Sequence, residues 1–310
     1  MNSHIQIIAN SGAKVMADAE SRQNFEDRLH SVLPGARLDF IDKGHDVASL
    51  IKAALMRGAT VVAAAGGDGT VNAVASEIVG TSAILGVLPL GTLNHFAKDV
   101  AIPAEMDDAL HVLTNGRVDT VDVGTVGKRI FLNNSGLGLY PDMVHNRERR
   151  QKTGMSKWPA MLIEGARAFG KYRLLHLQID VDGAAVQRRT PAVFIGNNDY
   201  SLEGTLASKR SALNGGQLCL YIPRTRTRAG LVWFSMRAFF GSPTPGDDFD
   251  KFMATEFTIT SRHQHLRVSI DGEVAELNTP LEYRIKPAAL RVMVPVARRD
   301  ASPNDSSGPT

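Results

Sequence analysis

The sequence has few of the features that mark secreted, membrane-spanning or nucleic-acid-binding proteins. Its 310 residues contain one cysteine, Cys219, so no disulfide can form within the chain, which fits a reducing compartment. The surrounding apolar residues indicate that this thiol is core filler. The N-terminus lacks a charged segment followed by an apolar one, so we expect no signal peptide. The most apolar stretch, residues 231–240, is too short for a membrane span. We therefore expect a cytoplasmic protein.

The net charge is also small. A formal charge of +3 produces no strong field over the whole molecule. Basic residues are concentrated in two clusters instead, which are Arg147, Arg149, Arg150, Lys152 and Lys157, and Arg224, Arg226 and Arg228. Either cluster could contact anionic headgroups at about 1 kcal/mol per basic residue, or could be an ordinary solvated surface. Aromatic residues are not interleaved with these clusters, so we expect no nucleic-acid partner.

The first part of the chain alternates short apolar runs with amphipathic ones. The predicted strands are residues 5–9, 37–41, 60–65 and 84–88, and the predicted helices are residues 18–32, 47–56, 71–79 and 106–115. This order predicts a parallel sheet with helices on both faces. We therefore expect a three-layer α/β domain over residues 1–124.

From residue 118 onward the pattern changes to short β-type runs bounded by Gly, Asn and Asp. These runs are residues 118–126, 129–134, 174–181, 191–197, 217–222, 256–260, 266–270 and 281–286. They predict a mostly β domain over residues 125–287, interrupted by a helix at 156–169. A last strand within 288–298 is expected to return to the first domain. Residues 299–310 are rich in Ser, Pro, Asn and Asp and predict a disordered tail.

Three glycines and a carboxylate stand between a predicted strand and a predicted helix. They form the segment Gly66-Gly67-Asp68-Gly69-Thr70. Glycines at such a position let backbone N–H groups approach a phosphate, and the helix N-terminus adds a favourable dipole. The carboxylate of Asp68 would repel phosphate, so it makes sense beside Mg²⁺ or as a proton acceptor. An ordinary glycine-rich turn is the structural alternative.

A second loop of similar composition follows the next predicted strand. It contains Gly91, Thr92 and Asn94. In an open parallel sheet, ligands bind outside the carboxyl ends of the strands. We therefore expect the two loops to border one pocket.

These segments resemble the diacylglycerol kinase catalytic-domain family, which includes bacterial lipid kinases and the sphingosine and ceramide kinases. The strongest matches are Gly66 to Thr70 and Pro89 to Ala97. Weaker matches are Asn10-Ser11-Gly12, residues 131–138 and Asp271-Gly272-Glu273. The order and spacing of these segments make the resemblance specific, and it covers nearly the whole chain. It implies an α/β domain of the NAD kinase type followed by a β-sandwich.

The resemblance implies transfer of the γ-phosphate of ATP to a lipid hydroxyl, with the lipid entering between the domains. The residues expected to bind the nucleotide are Asn10, Gly66, Gly67, Gly69, Thr70, Asn72, Thr92 and Asn94. Asp68 and Glu273 are expected to bind Mg²⁺ and to act in catalysis. Asp271 is the expected general base, although Asp-Gly on its own is more typical of a hairpin turn. Candidate residues for the lipid entry, which could equally be core, are Met155, Trp158, Met161, Trp233, Phe234, Phe239 and Phe240.

Three positions depart from the family pattern. His95 stands where the family has aspartate, so a carboxylate role there is in doubt. Phe40 stands near the place of a threonine that would contact the nucleotide. Gly215 replaces the aspartate of a turn that helps to hold a structural Mg²⁺, so we expect this second metal site to be weak or absent.

Two alternatives remain beside a lipid kinase. NAD kinases and phosphofructokinase-like proteins share the Gly-Gly-Asp-Gly loop, although the segment from Pro89 to Asn94 favours the lipid kinases. The second alternative is a protein that binds a nucleotide or a lipid and catalyses no reaction. As a lipid kinase, the protein would be cytoplasmic and would touch the membrane surface transiently. The identity of the lipid and a homodimeric state are left open.

Overall fold

A computed structural model describes residues 4–13, 16, 18–42, 46–138, 174–181, 183–200, 210, 212–225, 246 and 248–296. The predicted helix 156–169 and the predicted tail lie outside this part of the chain. So do the first basic cluster, Arg226 and Arg228 of the second, and all seven candidate residues for the lipid entry. Among the described residues, no helix has both the length and the apolar character needed to cross a bilayer.

The N-terminal part is an α/β domain. Its elements are β1 (Ile5–Asn10), α1 (Ala19–Val32), β2 (Arg37–Ile41), α2 (Val47–Met56), β3 (Val61–Gly66), α3 (Asp68–Ile78), β4 (Ile84–Pro89), α4 (His95–Asp99) and α5 (Met106–Asn115). The strands pair in parallel in the order β2-β1-β3-β4. Strands β1 and β3 are almost wholly buried, as strands covered on both faces should be. The predicted α/β fold is confirmed.

Local signals explain where the helices begin. Asp18 caps α1 by accepting a hydrogen bond from the Ser21 N–H, and Asp46 caps α2 in the same way through Ser49. Two helix predictions need correction. Helix α3 starts at Asp68 rather than at residue 71, so Gly69 and Thr70 belong to its first turn. The five-residue α4 was not predicted.

The C-terminal part is a β-sandwich, as predicted. Its strands are β5 (Arg117–Val126), β6 (Arg129–Phe131), β7 (Asn134–Gly138), β8 (Leu175–Val181), β9 (Ala184–Thr190), β10 (Ala192–Asn197), β11 (Leu218–Pro223), β12 (Phe249–Ala254), β13 (Glu256–Ser261), β14 (His265–Ile270), β15 (Glu273–Asn278) and β16 (Leu281–Val294). One sheet has the order β12-β11-β10-β7-β14-β15. Its inner face packs on the other sheet through a core that contains Phe131, Phe257 and Tyr283.

Several strand predictions were wrong in detail. Strands β9, β12 and β15 were missed. The predicted strand 129–134 is β6, and its last residue begins β7. The predicted strand 281–286 and the predicted last strand within 288–298 are one strand, β16, with an irregular register between Lys286 and Leu290.

Strand β16 joins the two parts of the molecule. It pairs in parallel with β4 through Arg291 and Val292, and antiparallel with β5 and β13. A single ten-stranded sheet therefore runs from β2 through β16 to β9. The domain limits at residues 124 and 287 stay predictions, because this sheet crosses both.

Candidate active site

The N-terminus of α3 offers unpaired backbone N–H groups at the end of β3. Its N-cap residue, Gly67, supplies no side-chain hydrogen bond. The helical hydrogen bonds begin with the Val71 N–H, which donates to the Gly67 carbonyl at 3.1 Å. The N–H groups that precede it in the first turn have no intrahelical partner. This end of α3 is therefore suited to an anion.

Space is short around the glycines of these loops. A Cβ on Gly66 would lie 2.4 Å from Thr70 Oγ1, and a Cβ on Gly91 would lie 2.5 Å from the Gly67 Cα. A Cβ on Gly69 would lie 2.8 Å from Glu273 Oε1. The loops after β3 and β4 are thus in backbone contact, as expected for one site.

Asn10 links β1 to this helix. Its Nδ2 donates to Thr70 Oγ1 at 3.2 Å, and its Oδ1 accepts from the Gly12 N–H at 2.9 Å. Thr70 is only 6% exposed, so its hydroxyl is engaged with β1. Nucleotide contacts of Thr70 and Asn10 stay predictions.

Asn94 organises the loop after β4. It adopts a left-handed conformation with φ of 49°, accepts from the Gly91 N–H at 3.1 Å and donates to the Gly91 carbonyl at 2.8 Å. Asp68 Oδ1 accepts from the Phe96 N–H at 3.1 Å, which ties the start of α4 to the glycine loop. Thr92 and His95 are exposed beside these contacts.

The late motif forms a two-residue hairpin between β14 and β15. Asp271 and Gly272 have φ angles of 47° and 91°, and Ile270 pairs with Glu273 across the turn. Such a turn needs positive φ at both positions, which Asp-Gly provides. Asp271 therefore belongs to a hairpin turn, and this turn also places its carboxylate against α3, as the role of general base requires.

Both carboxylate oxygens of Asp271 are occupied. Oδ2 accepts from Asn72 Nδ2 and from the Leu132 N–H, each at 2.7 Å. Oδ1 accepts from the N–H groups of Asn133 at 2.8 Å and Asn134 at 3.0 Å. Burial raises the pKa of the Asp271 carboxyl above its ordinary value, although all four donors act in the opposite direction.

The segment 132–134 is held from its carbonyl side as well. The Leu132 carbonyl accepts from Arg210 Nη1 and Asn197 Nδ2, and the Asn133 carbonyl accepts from the Tyr200 hydroxyl. Arg210 is buried and forms an ion pair with Asp99 at the end of α4, at 2.7 Å. The loop after β4 and the segment that receives Asp271 are thereby fixed relative to each other.

A cavity of about 160 Å³ opens between α3, the β5–β6 turn and the β14–β15 turn. It is lined by Gly69, Asn72, Ser76, Lys128, Arg129, Ile130, Ile270, Asp271 and Glu273. The structure thus brings together four of the predicted site residues, Gly69, Asn72, Asp271 and Glu273. The other seven do not line it, and these are Asn10, Gly66, Gly67, Asp68, Thr70, Thr92 and Asn94.

Sequence reasoning missed Lys128 and Arg129. Their signal was a pair of consecutive basic residues in a tight turn directly before the 131–138 motif. Both are exposed at the cavity and can offer positive charge to a phosphate.

The acidic residues suit a metal ion that arrives with a nucleotide. Among the described residues, no three His, Cys, Asp or Glu side chains form a cluster able to hold a metal. Mg²⁺ is usually bound by one or two carboxylates together with phosphates and water, and Asp68 and Glu273 are of this type.

In the predicted second metal region, Asp122 accepts from the N–H groups of Gly216 at 2.7 Å and Ala288 at 2.8 Å. The weakness of that second site stays a prediction.

Comparison with known families matches both parts of the chain. Residues 4–126 match the diacylglycerol kinase catalytic domain, and residues 143–294 match the YegS C-terminal NAD kinase beta sandwich-like domain. The first of these matches is the family that the sequence predicted, and the two matches together span most of the chain. The predicted family and the prediction of a kinase are therefore confirmed.

Individual relatives agree with this assignment. The chain is 29% identical to a probable YegS-like lipid kinase of Pseudomonas putida, over 81% of this chain and 82% of that protein. It is 28% identical to a diacylglycerol kinase of Staphylococcus aureus, over 69% and 68% of the two chains. An uncharacterized Synechocystis protein is 24% identical, and the match covers only 64% of its length. A Bacillus anthracis structure described as a diacylglycerol kinase has the same fold, with a TM-score of 0.68 and 16% identity over 94% of this chain and 97% of that one.

Proposed function

We propose that this kinase uses ATP and Mg²⁺ to phosphorylate the hydroxyl group of a diacylglycerol-like lipid. The observation that supports it most is the 2.7 Å hydrogen bond from Asn72 Nδ2 to Asp271 Oδ2. These residues lie 199 positions apart, and their contact brings an acidic turn against the helix that follows the glycine loop. Phosphoryl transfer needs positioned phosphates, positive charge and a base near the accepting hydroxyl, all within one site.

The glycine loop and the first turn of α3 would hold the phosphates. Lys128 and Arg129 add positive charge at the opposite wall of the cavity, where charge develops on the transferred group. Glu273, exposed at the same cavity, would bind Mg²⁺, which neutralises phosphate charge when bound. Asp68 lies outside this cavity and would join Glu273 through Oδ2, since its Oδ1 accepts from the Phe96 N–H.

Asp271 is the proposed general base, with one condition. Its oxygens already accept four hydrogen bonds, so a substrate proton can enter only if one donor withdraws. Asn72 is the only side chain among the four donors. Its withdrawal would also break the 3.3 Å hydrogen bonds that its amide makes with the Ile130 carbonyl and the Ser76 hydroxyl. The raised pKa of Asp271 favours proton uptake.

The test is phosphorylation of a lipid panel by the purified protein with Mg²⁺ and labelled ATP. The panel contains diacylglycerol, phosphatidylglycerol, ceramide and sphingosine, and a separate reaction contains NAD. Labelled lipid is the expected product. Labelled NAD without labelled lipid would favour the NAD kinase alternative. Lipid and ATP binding without any labelled product would favour the non-catalytic alternative.

A matched pair of variants assigns the activity to this cavity. Glu273→Gln is expected to reduce turnover strongly, because it removes a negative charge from the site. Glu276→Gln removes the same charge from the same strand, at an exposed position that does not line the cavity. It should keep wild-type activity, and equal loss in both variants would contradict the proposed site.

A further inference from the structure

A second cavity lies in the β-sandwich and is lined mainly by arginines. Its volume is about 340 Å³, and it is lined by Arg188, Arg189, Pro223, Arg224 and Asp250. These residues come from β9, from β12 and from the end of β11. Strand β9 belongs to one sheet, and the other two belong to the second, so the cavity bridges the two sheets.

Asp250 orients two of the arginines. Its Oδ2 accepts from Arg188 Nε at 3.0 Å, and its Oδ1 accepts from Arg224 Nε at 2.6 Å. Arg188 Nη1 donates to the Gln187 carbonyl and Arg224 Nη1 donates to the Gly246 carbonyl. Each guanidinium is therefore held by two contacts, and within the described part of the chain its Nη2 group is left for a further acceptor.

The cavity has an excess of positive charge. Arg188 and Arg224 carry two positive charges against the single negative charge of Asp250. Arg189 adds a third guanidinium, which has no ion-pair partner among the described residues. Arginines that line one space suit a phosphate, because the N–H groups of a guanidinium match phosphate oxygens in pairs.

This cavity is separate from the candidate active site. Asp250 lies on β12 and Glu273 on β15, and these are the two opposite edges of the six-stranded sheet. At the usual strand spacing the two edges are about 24 Å apart. An anion bound between the arginines would therefore be too distant to be the group that is transferred.

We propose that Arg188 and Arg224, oriented by Asp250, form together with the neighbouring Arg189 a binding site for a phosphate monoester group. The group is either the headgroup of an anionic lipid or a free phosphate. The site does not depend on the proposed phosphoryl transfer, since it shares no residue with the active-site cavity.

Vesicle sedimentation and thermal unfolding of the full chain distinguish the two sources. Phosphatidylcholine vesicles with and without phosphatidic acid test the headgroup, and inorganic phosphate tests the free anion. We expect Arg189→Gln to weaken the preferred ligand about five-fold and Arg189→Gln/Arg224→Gln about 25-fold, at the usual contribution of a basic residue. Arg189→Gln breaks no contact described here, so it is not expected to disturb folding.

Arg284→Gln is the matched control, since Arg284 is as exposed as Arg224 and is paired with two glutamates elsewhere on the sandwich. Loss of phosphatidic acid binding only in the pocket variants supports a headgroup site. Loss of stabilisation by inorganic phosphate only in these variants supports a free-phosphate site. The proposal is overturned if the double variant behaves like Arg284→Gln in both assays.

Asp250→Asn separates an ordered site from a diffuse basic surface. The substitution makes the cavity more positive by one charge but replaces one of the two acceptor oxygens by an NH2 group, so Arg188 and Arg224 can no longer both be oriented by this side chain. We expect weaker binding of the same ligand, in protein whose thermal unfolding shows it to be folded. Stronger binding would show that net charge alone attracts the anion, and would overturn the proposed site.

Discussion

Replacing Asp271 by alanine should destabilise the protein, whatever it does to catalysis. The substitution leaves the N–H groups of residues 132–134 and the Asn72 amide without their acceptor. A buried donor without a partner costs about 1–3 kcal/mol, and removing one partner of a buried charged network costs about 3–5 kcal/mol. Because the turn is only half-buried, water can replace part of what is lost. We expect the free energy of unfolding to fall by about 3–5 kcal/mol.

Urea denaturation followed by circular dichroism measures this loss. Glu273→Ala is the matched control, since it removes the other carboxylate of the same turn. Glu273 is exposed, so its removal should change stability by no more than about 0.5 kcal/mol. Asp271→Asn should lie between the two, because its single oxygen can still accept from Asn133 and Asn134. If Asp271→Ala unfolds at the same urea concentration as Glu273→Ala, the four hydrogen bonds do not anchor this turn.

This result decides how activity data on Asp271 are interpreted. A loss of turnover in Asp271→Ala would combine two effects, the absence of the base and the displacement of residues 132–134. Asp271→Asn keeps more of the anchor and cannot act as a base. Turnover that is lost in folded Asp271→Asn therefore supports the proposed base, and turnover that is retained excludes it.

Three further predictions concern the same region. Gly69→Ala should leave the urea midpoint unchanged, because alanine suits a helix, but should reduce turnover by displacing the Glu273 carboxylate, which lies 2.8 Å from the new Cβ. Gly91→Ala should lower the free energy of unfolding by about 1–3 kcal/mol, since its Cβ meets the Gly67 backbone at 2.5 Å; a midpoint equal to wild type would contradict the contact. The third prediction is a pH dependence. Folding raises the pKa of the Asp271 carboxyl above 3.8. Just above pH 3.8 the folded protein therefore still holds a proton on Asp271 that the unfolded chain has lost. The free energy of unfolding should accordingly fall as the pH rises from 3.8 through the folded-state pKa. Asp271→Asn should flatten this slope in urea titrations over a pH series.

The elements that sequence predicted well have strong local signals. Helices α2 and α5 have the predicted bounds, and α2 combines an apolar face with the capping residue Asp46. Strands β3 and β4 are continuous apolar runs because helices cover both of their faces. Such signals can be seen within a dozen residues.

Three of the missed strands share a position in the fold, whereas β7, of which only the first residue was predicted, lies inside its sheet. Strands β9, β12 and β15 are edge strands, at one end of the ten-stranded sheet and at both ends of the six-stranded one. Edge strands expose more of their residues and carry charged side chains. In this protein Arg188, Asp250 and Glu276 are charged residues of such strands. Their apolar pattern was too weak to predict a strand, and the arginine-lined cavity between two of these edges could not be anticipated for the same reason.

The sequence by itself determined the family and the two fold classes, because these are encoded in short motifs and in local apolar patterns. It also predicted three of the polar residues that line the cavity, Asn72, Asp271 and Glu273. Only the tertiary structure decided which residues meet. It brought Asp271 to Asn72 across 199 positions, turned the Asp271 carboxylate onto the backbone of residues 132–134, and added Lys128 and Arg129 to the cavity. Pairing between distant strands depends on the packing of the whole sheet, and no local pattern records which side chains that packing brings into contact.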